Sequence, residues 1–81
     1  MEEPKDVTAL TYGEKAVGKS FNPSQLKEVE NIKRDAAHLI DTFNTYRSES
    51  DDPEVKRMYS VAITELQTAQ MWAVKAATWG K

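Results

Sequence analysis

The chain has 81 residues, enough for one small domain that buries only part of its surface when it folds. The absence of cysteine excludes disulfides and thiolate metal sites, and a single histidine, His38, argues against a structural zinc site, so we expect neither a metal nor a cofactor. A formal net charge of −2 argues against a protein that coats duplex DNA, because such binding neutralises many phosphates. No signal peptide or membrane span is recognisable, and we expect a soluble intracellular protein that gains stability by self-association.

The N-terminal segment, residues 1–21, predicts a short helix followed by a loop. Its few apolar residues support a helical turn or two, and Gly13 and Gly18 weaken that helix. The loop then carries Phe21 to the start of the first long helix. This segment has the weakest pattern in the chain.

Two long helices follow. Asn22-Pro23 and Asp52-Pro53 each place a capping side chain before a proline, a combination typical of helix N-termini. We predict helices over 24–47 and 53–79, joined by a polar turn at 48–52 and ended by Gly80. The predicted facing stripes are Val29, Ile32, Ala36, Leu39, Ile40, Phe43 and Tyr46 on the first helix, and Val55, Tyr59, Ala62, Leu66, Ala69, Ala73 and Ala76 on the second. The predicted fold is all-α, a single antiparallel helical hairpin domain over residues 1–81.

The second long helix carries a second apolar face. Val61, Trp72 and Trp79 lie together more than 90° from the seam at about 100° per residue, and Met58 and Met71 flank them. One hairpin cannot bury both faces. Either the N-terminal segment folds over these residues or other copies cover them; we favour a homo-oligomer whose interface includes Val61, Met71, Trp72 and Trp79.

Residues 13–20 match the P-loop pattern G-x-x-x-x-G-K-[ST]. A working P-loop needs a buried strand before the loop and a helix directly after it. The preceding residues are too few and too polar for a central strand, and the next helix begins only after Asn22-Pro23. We interpret the match as chance.

A cluster of aromatic and cationic residues surrounds these glycines. A nucleotide needs a ring to stack on its base and cations for its phosphates. The candidate ligand-binding residues are Tyr12, Gly13, Lys15, Lys19, Phe21 and Lys27. Alternatively, Tyr12 and Phe21 are core anchors and the lysines only solvate the surface. No nucleophile–base pair or paired carboxylates are recognisable, so we predict no catalytic residues and no enzyme activity.

Two stretches resemble a known family. Residues 12–18 (YGEKAVG), continuing to 20–24 (SFNPS), and residues 62–75 (AITELQTAQMWAVK) are similar to the phage anti-CBASS cyclic-nucleotide sponges. A related hairpin domain occurs in a sponge that counters Thoeris defence. The resemblance implies a helical hexamer in the host cytoplasm that sequesters cyclic dinucleotides, uncleaved, in pockets shared between subunits.

The resemblance also implies residue roles. It assigns the dinucleotide pocket to Tyr12 and Lys27, and a second site, for cyclic trinucleotides, to Arg57 and Ser60. The turn at 48–52 is shorter than the family pattern, which places the second site in doubt. Two other classes remain open: a protein–protein adaptor or inhibitor that docks a host partner through its Met/Trp face, and a nucleotide hydrolase that rests only on the P-loop pattern.

Overall fold

The computed structural model describes residues 10–19 and 26–80. Three helices occupy these ranges: α1 (Tyr12–Ala16), α2 (Lys27–Glu49) and α3 (Pro53–Ala77). The described ranges contain no strand. The prediction of an all-α fold with a short N-terminal helix and a long helical hairpin is therefore confirmed.

The start of α3 has the predicted cap. Asp52 precedes the helix, and its carboxylate Oδ1 accepts a hydrogen bond of 2.9 Å from the amide of Glu54, while Pro53 is the first helical residue. The helix ends at Ala77, slightly before the predicted end, and Gly80 follows with a φ of 76° that favours glycine.

The start of α2 differs from the prediction. It begins at Lys27, and its N-cap residue Leu26 makes no capping bond with its side chain. The predicted capping pair, Asn22-Pro23, lies outside the described residues. The helix continues to Glu49, slightly beyond the predicted end.

The core lies where the hairpin meets the N-terminal segment. Ile40 of α2, Ile63 of α3 and Val17, which follows α1, are all at most 4% exposed and belong to one apolar cluster. Near the turn, the ring of Tyr59 lies 6.0 Å from that of Phe43 and 6.2 Å from that of Tyr46, between ring centroids. The hairpin is thus closed by aliphatic packing in the middle and by aromatic packing at the turn.

The predicted seam was partly wrong. Leu39 and Tyr46 of α2 are exposed, and so are Ala69 and Ala76 of α3. Two residues of the predicted stripe on α2, Val29 and Ile40, are buried as expected, together with Lys33 and Ala37. The buried residues of α3 are Ile63, Gln70 and Ala77, which the predicted stripe did not contain. Because α3 carries apolar residues on more than one face, its periodicity fits more than one stripe. The N-terminal segment adds a second packing partner, and the buried face of α3 turns toward it.

A close backbone contact holds α1 against α2. A Cβ atom on Gly13 would collide with the carbonyl oxygen of Ala37, so only glycine fits there. The amide of Gly13 donates a hydrogen bond of 2.7 Å to Oδ1 of Asp41. Asp41 is half-buried and anchors α1.

Side chains of both hairpin helices bind the end of the same segment. Gln67 of α3 donates from Nε2 to the carbonyl oxygen of Ala16 over 3.2 Å. Lys33 of α2 donates from Nζ to the carbonyl oxygen of Gly18 over 2.8 Å. Residues 10–19 are thus fixed to both long helices.

Candidate functional site

In the described part of the P-loop pattern, residues 13–19, the backbone does not form a phosphate cradle. Such a cradle needs free backbone amides that converge on the anion. Here the amides are already bonded: that of Gly13 to Asp41, that of Glu14 to the Thr11 hydroxyl, and those of Lys15, Val17, Gly18 and Lys19 to the carbonyl oxygens of Thr11, Gly13, Lys15 and Glu14. This geometry agrees with the interpretation that the match to the P-loop pattern is due to chance.

A reciprocal cap explains the local fold of α1. The Thr11 hydroxyl accepts from the Glu14 amide, and Glu14 Oε1 accepts from the Thr11 amide, both over 3.0 Å. The hydrogen bond from the Thr11 amide, followed by that from the Lys19 ammonium group, lowers the pKa of the Glu14 carboxyl below its usual 4.5. This cap stabilises α1, whose first residue is Tyr12.

Tyr12 presents an aromatic ring beside a cation. The side chain is half-exposed, and the guanidinium carbon of Arg47 lies 5.5 Å from the ring centroid. Arg47 is itself held by hydrogen bonds to Asn44 (2.7 Å) and to the hydroxyl of Ser60 (2.9 Å). Its position over the ring is a cation–π geometry. The sequence pattern had not singled out Arg47.

Lys27 lies far from Tyr12 within one chain. Asp41 binds the residue next to Tyr12, and along the axis of α2 it stands about 20 Å from Lys27 at 1.5 Å per residue. The Lys27 ammonium group is exposed and forms an ion pair of 3.4 Å with Glu30. The two principal residues of the predicted pocket therefore occupy different ends of the hairpin.

The other predicted ligand residues are divided. Lys19 forms an ion pair of 3.3 Å with Glu14, close to Gly13. Lys15 is exposed on the opposite side of the segment, where it borders a groove toward α3. Phe21 lies outside the described residues. The glycine-bearing segment thus directs its two lysines to different surfaces.

The residues of the predicted second site already have partners. Arg57 donates to Glu54, with a shortest N–O distance of 2.6 Å, and this hydrogen bond lowers the pKa of Glu54 and raises that of Arg57. Ser60 accepts from Arg47. An exposed ion pair such as Arg57–Glu54 contributes little stability.

The second apolar face is bare. Val61, Met71, Trp72 and Trp79 are between 47% and 74% exposed, and Met58 is 50% exposed. Residues 10–19 meet α3 through Gln67 and border a groove that reaches Met71, and they leave Val61, Trp72 and Trp79 open. In the described ranges, therefore, the N-terminal segment does not cover the tryptophans. Exposed apolar surface of this extent marks an interaction site.

In the two described ranges no three potential metal ligands lie together. His38 is exposed beside Arg34 and Asp35 in an open depression. Within the same ranges no helix has the length and apolar character to span a bilayer.

Comparison with known proteins gives one match. The family model described as "Acb2/Tad1, hairpin domain" matches residues 13–78. That range includes most of α1 and all of α2 and α3. No match was found among curated proteins or among solved structures.

Proposed function

The chain belongs to the Acb2/Tad1 hairpin-domain family, and from this premise we propose that it binds and sequesters cyclic dinucleotides without cleaving them. Membership implies a phage anti-defence sponge role. The proposed ligands are the signals of bacterial CBASS immunity, removed in the host cytoplasm. We extend the proposal to cyclic trinucleotides at a second site that includes Arg57 and Ser60.

The surroundings of Tyr12 support a base-stacking role. A base stacked on an aromatic side chain contributes about 1–3 kcal/mol. Arg47 lies against the Tyr12 ring, held by Asn44 and Ser60, and its charge adds attraction for a phosphate or a base. Tyr12 is itself fixed by the capped α1, so its ring needs little ordering on binding.

The separation of Tyr12 from Lys27 supports a pocket shared between copies. Within one chain, Lys27 stands about 20 Å along α2 from Asp41, which binds the residue next to Tyr12. A second copy that packs on the bare face of Trp72 and Trp79 can bring its own Lys27 to Tyr12. We therefore propose a homo-oligomer, a hexamer by family resemblance, with each dinucleotide pocket built from two subunits.

Subunit complementation tests this proposal. Tyr12→Ala and Lys27→Ala homo-oligomers should each bind cyclic dinucleotides more weakly by about 1–3 kcal/mol, measured by calorimetry. When the two variants are unfolded, mixed and refolded together, some pockets receive both native residues. Tight binding should then return in a fraction of the sites. Arg34→Ala, which removes an exposed cation from α2, is the control and should bind like the wild type.

The outcomes separate the alternatives. Tight binding that does not return in mixed oligomers would place both residues in one subunit's pocket. Wild-type affinity in both single variants would show that the pocket lies elsewhere. Bound ligand recovered after proteolysis should have an unchanged mass, whereas a hydrolase would convert it. An adaptor that uses the Met/Trp face would ignore the ligand altogether.

A further inference from the structure

A groove between the N-terminal segment and α3 has the composition of a ligand site. It is an open groove with a volume of about 440 Å³, and it lies on the side of α3 that faces residues 15–18. Its lining residues are Lys15, Ala16, Val17, Gly18, Lys33, Gln70, Met71 and Val74. Ligand pockets typically enclose about 300–1,000 Å³, with apolar walls and a few polar groups. This groove fits that description.

The decisive residue is Gln70. Its side chain is only 6% exposed, and none of the described residues forms a hydrogen bond with its amide. Gln67, one turn earlier on the same helix, donates to the carbonyl oxygen of Ala16. A buried amide without partners lowers stability, so its presence calls for an explanation. A ligand that completes its hydrogen bonds supplies one.

Two cations border the same space. Lys33 is 4% exposed and holds the carbonyl oxygen of Gly18 at 2.8 Å, and burial lowers the pKa of its ammonium group. Lys15 is exposed at the rim. Positive charge near an apolar wall favours an anionic ligand with a flat apolar part.

We propose that this groove binds a nucleoside monophosphate, with the base edge on the Gln70 amide and the phosphate toward Lys15 and Lys33. A glutamine amide pairs with a planar edge that carries one donor and one acceptor, as nucleobases do. The sides of Met71 and Val74 offer apolar contact for the base. The site is separate from Tyr12 and does not depend on sequestration of cyclic dinucleotides there.

The test uses the two glutamines as a matched pair. The isotope-labelled full chain is titrated to millimolar concentration with AMP, GMP, CMP and UMP, and NMR follows the side-chain amide of Gln70. At least one nucleotide should shift that resonance. Gln70→Leu should weaken its binding at least tenfold yet raise the melting temperature, because it removes an unsatisfied amide. Gln67→Leu should lower the melting temperature, because it breaks an existing bond.

Further variants separate the contribution of the phosphate to binding in the groove from that of the base, and separate the groove from the Tyr12 pocket. Lys15→Ala should weaken binding of the nucleotide but not of the matching nucleoside, and it keeps the test valid if Gln70→Leu does not fold. Tyr12→Ala should leave the groove intact even where cyclic dinucleotide binding is lost. An unshifted Gln70 resonance with all four nucleotides, or equal affinity in Gln70→Leu, would show that the groove holds water only and would overturn the proposal.

Discussion

The two sides of the hairpin differ in how they are completed. On one side, residues 10–19 are fixed by hydrogen bonds between their backbone and the side chains of Asp41, Gln67 and Lys33, and by the close contact at Gly13. On the other side, Trp72 and Trp79 project from α3 with most of their surface exposed. The first side relies on a few groups in fixed positions, whereas the second presents broad apolar area.

This difference distinguishes the side of the hairpin that is packed within one chain from the side that is left exposed. A hydrogen bond to one particular backbone atom forms only where the fold of the chain places donor and acceptor together, as it does for residues 10–19. Exposed tryptophans instead lose water when any complementary apolar surface covers them. The docked side is therefore complete within one chain, and the bare side is where we propose that another copy packs. Variants on the two sides should accordingly fail in different ways.

The largest expected effect is that of Gly13→Ala on the docked side. The added Cβ would collide with the carbonyl oxygen of Ala37, so α1 must shift and lose its bond to Asp41. We expect a loss of about 3 kcal/mol in the free energy of unfolding, at the upper end of overpacking effects. Chemical denaturation monitored by circular dichroism measures it.

Gly80→Ala is the matched control. A Cβ there meets no atom within 4 Å, although the φ of 76° is unfavourable for alanine. Its cost should stay near 1 kcal/mol, from backbone strain alone. Equal effects of the two substitutions would mean that α1 is not held by the contact with Ala37.

On the bare side, Trp72→Ala should act on assembly. The side chain is 64% exposed and its described contact is with Lys75, whose Nζ lies 5.6 Å from the ring. Truncation should therefore leave the folding of one chain nearly unchanged. It should weaken association by about 2 kcal/mol per interface, as expected of a buried interface tryptophan. Sedimentation velocity across a concentration series measures the shift toward smaller species.

Thr64→Ala, an exposed substitution on the same helix, is the control and should assemble like the wild type. An unchanged sedimentation profile for Trp72→Ala would remove this residue from the interface. A large loss of chain stability instead would show that Trp72 is packed within its own subunit.

The sequence predicts local features of this fold better than its long-range contacts. Asp52-Pro53 specified the start of α3 because cap and helix are adjacent in the chain. The contact between Gly13 and Asp41 joins residues far apart in sequence, and no periodic pattern reveals it. The predicted seam on α3 was displaced for a related reason, since hydropathy cannot show which apolar side a docked segment will cover.

The residues of the candidate site show the same contrast between local features and long-range contacts. Tyr12 could be selected from its residue type and its glycine-flanked position, but its neighbour Arg47 could not, because only the folded hairpin brings them together. Likewise, the sequence alone does not show that the side chains of Gln67 and Gln70 have different environments. The structure gives the first a partner and leaves the second without one among the described residues.

The smallest expected effect concerns the docked side and its dependence on pH. The pKa of Glu14 is lowered first by the Thr11 amide and then by Lys19. The folded chain therefore holds this carboxyl ionised more strongly than the unfolded chain, whose carboxyl titrates near 4.5. The resulting stabilisation is present above pH 4.5 and is lost as the pH falls through the lower folded value.

NMR of the Thr11 amide, which donates to Glu14 Oε1, should show a titration midpoint below 4.5. Glu14→Gln should abolish this transition. Lys19→Met should move the midpoint only partly toward 4.5, because the bond to the Thr11 amide remains. A midpoint that returns fully to 4.5 in Lys19→Met would make the ion pair, and not the bond from the Thr11 amide, the main cause of the lowered Glu14 pKa.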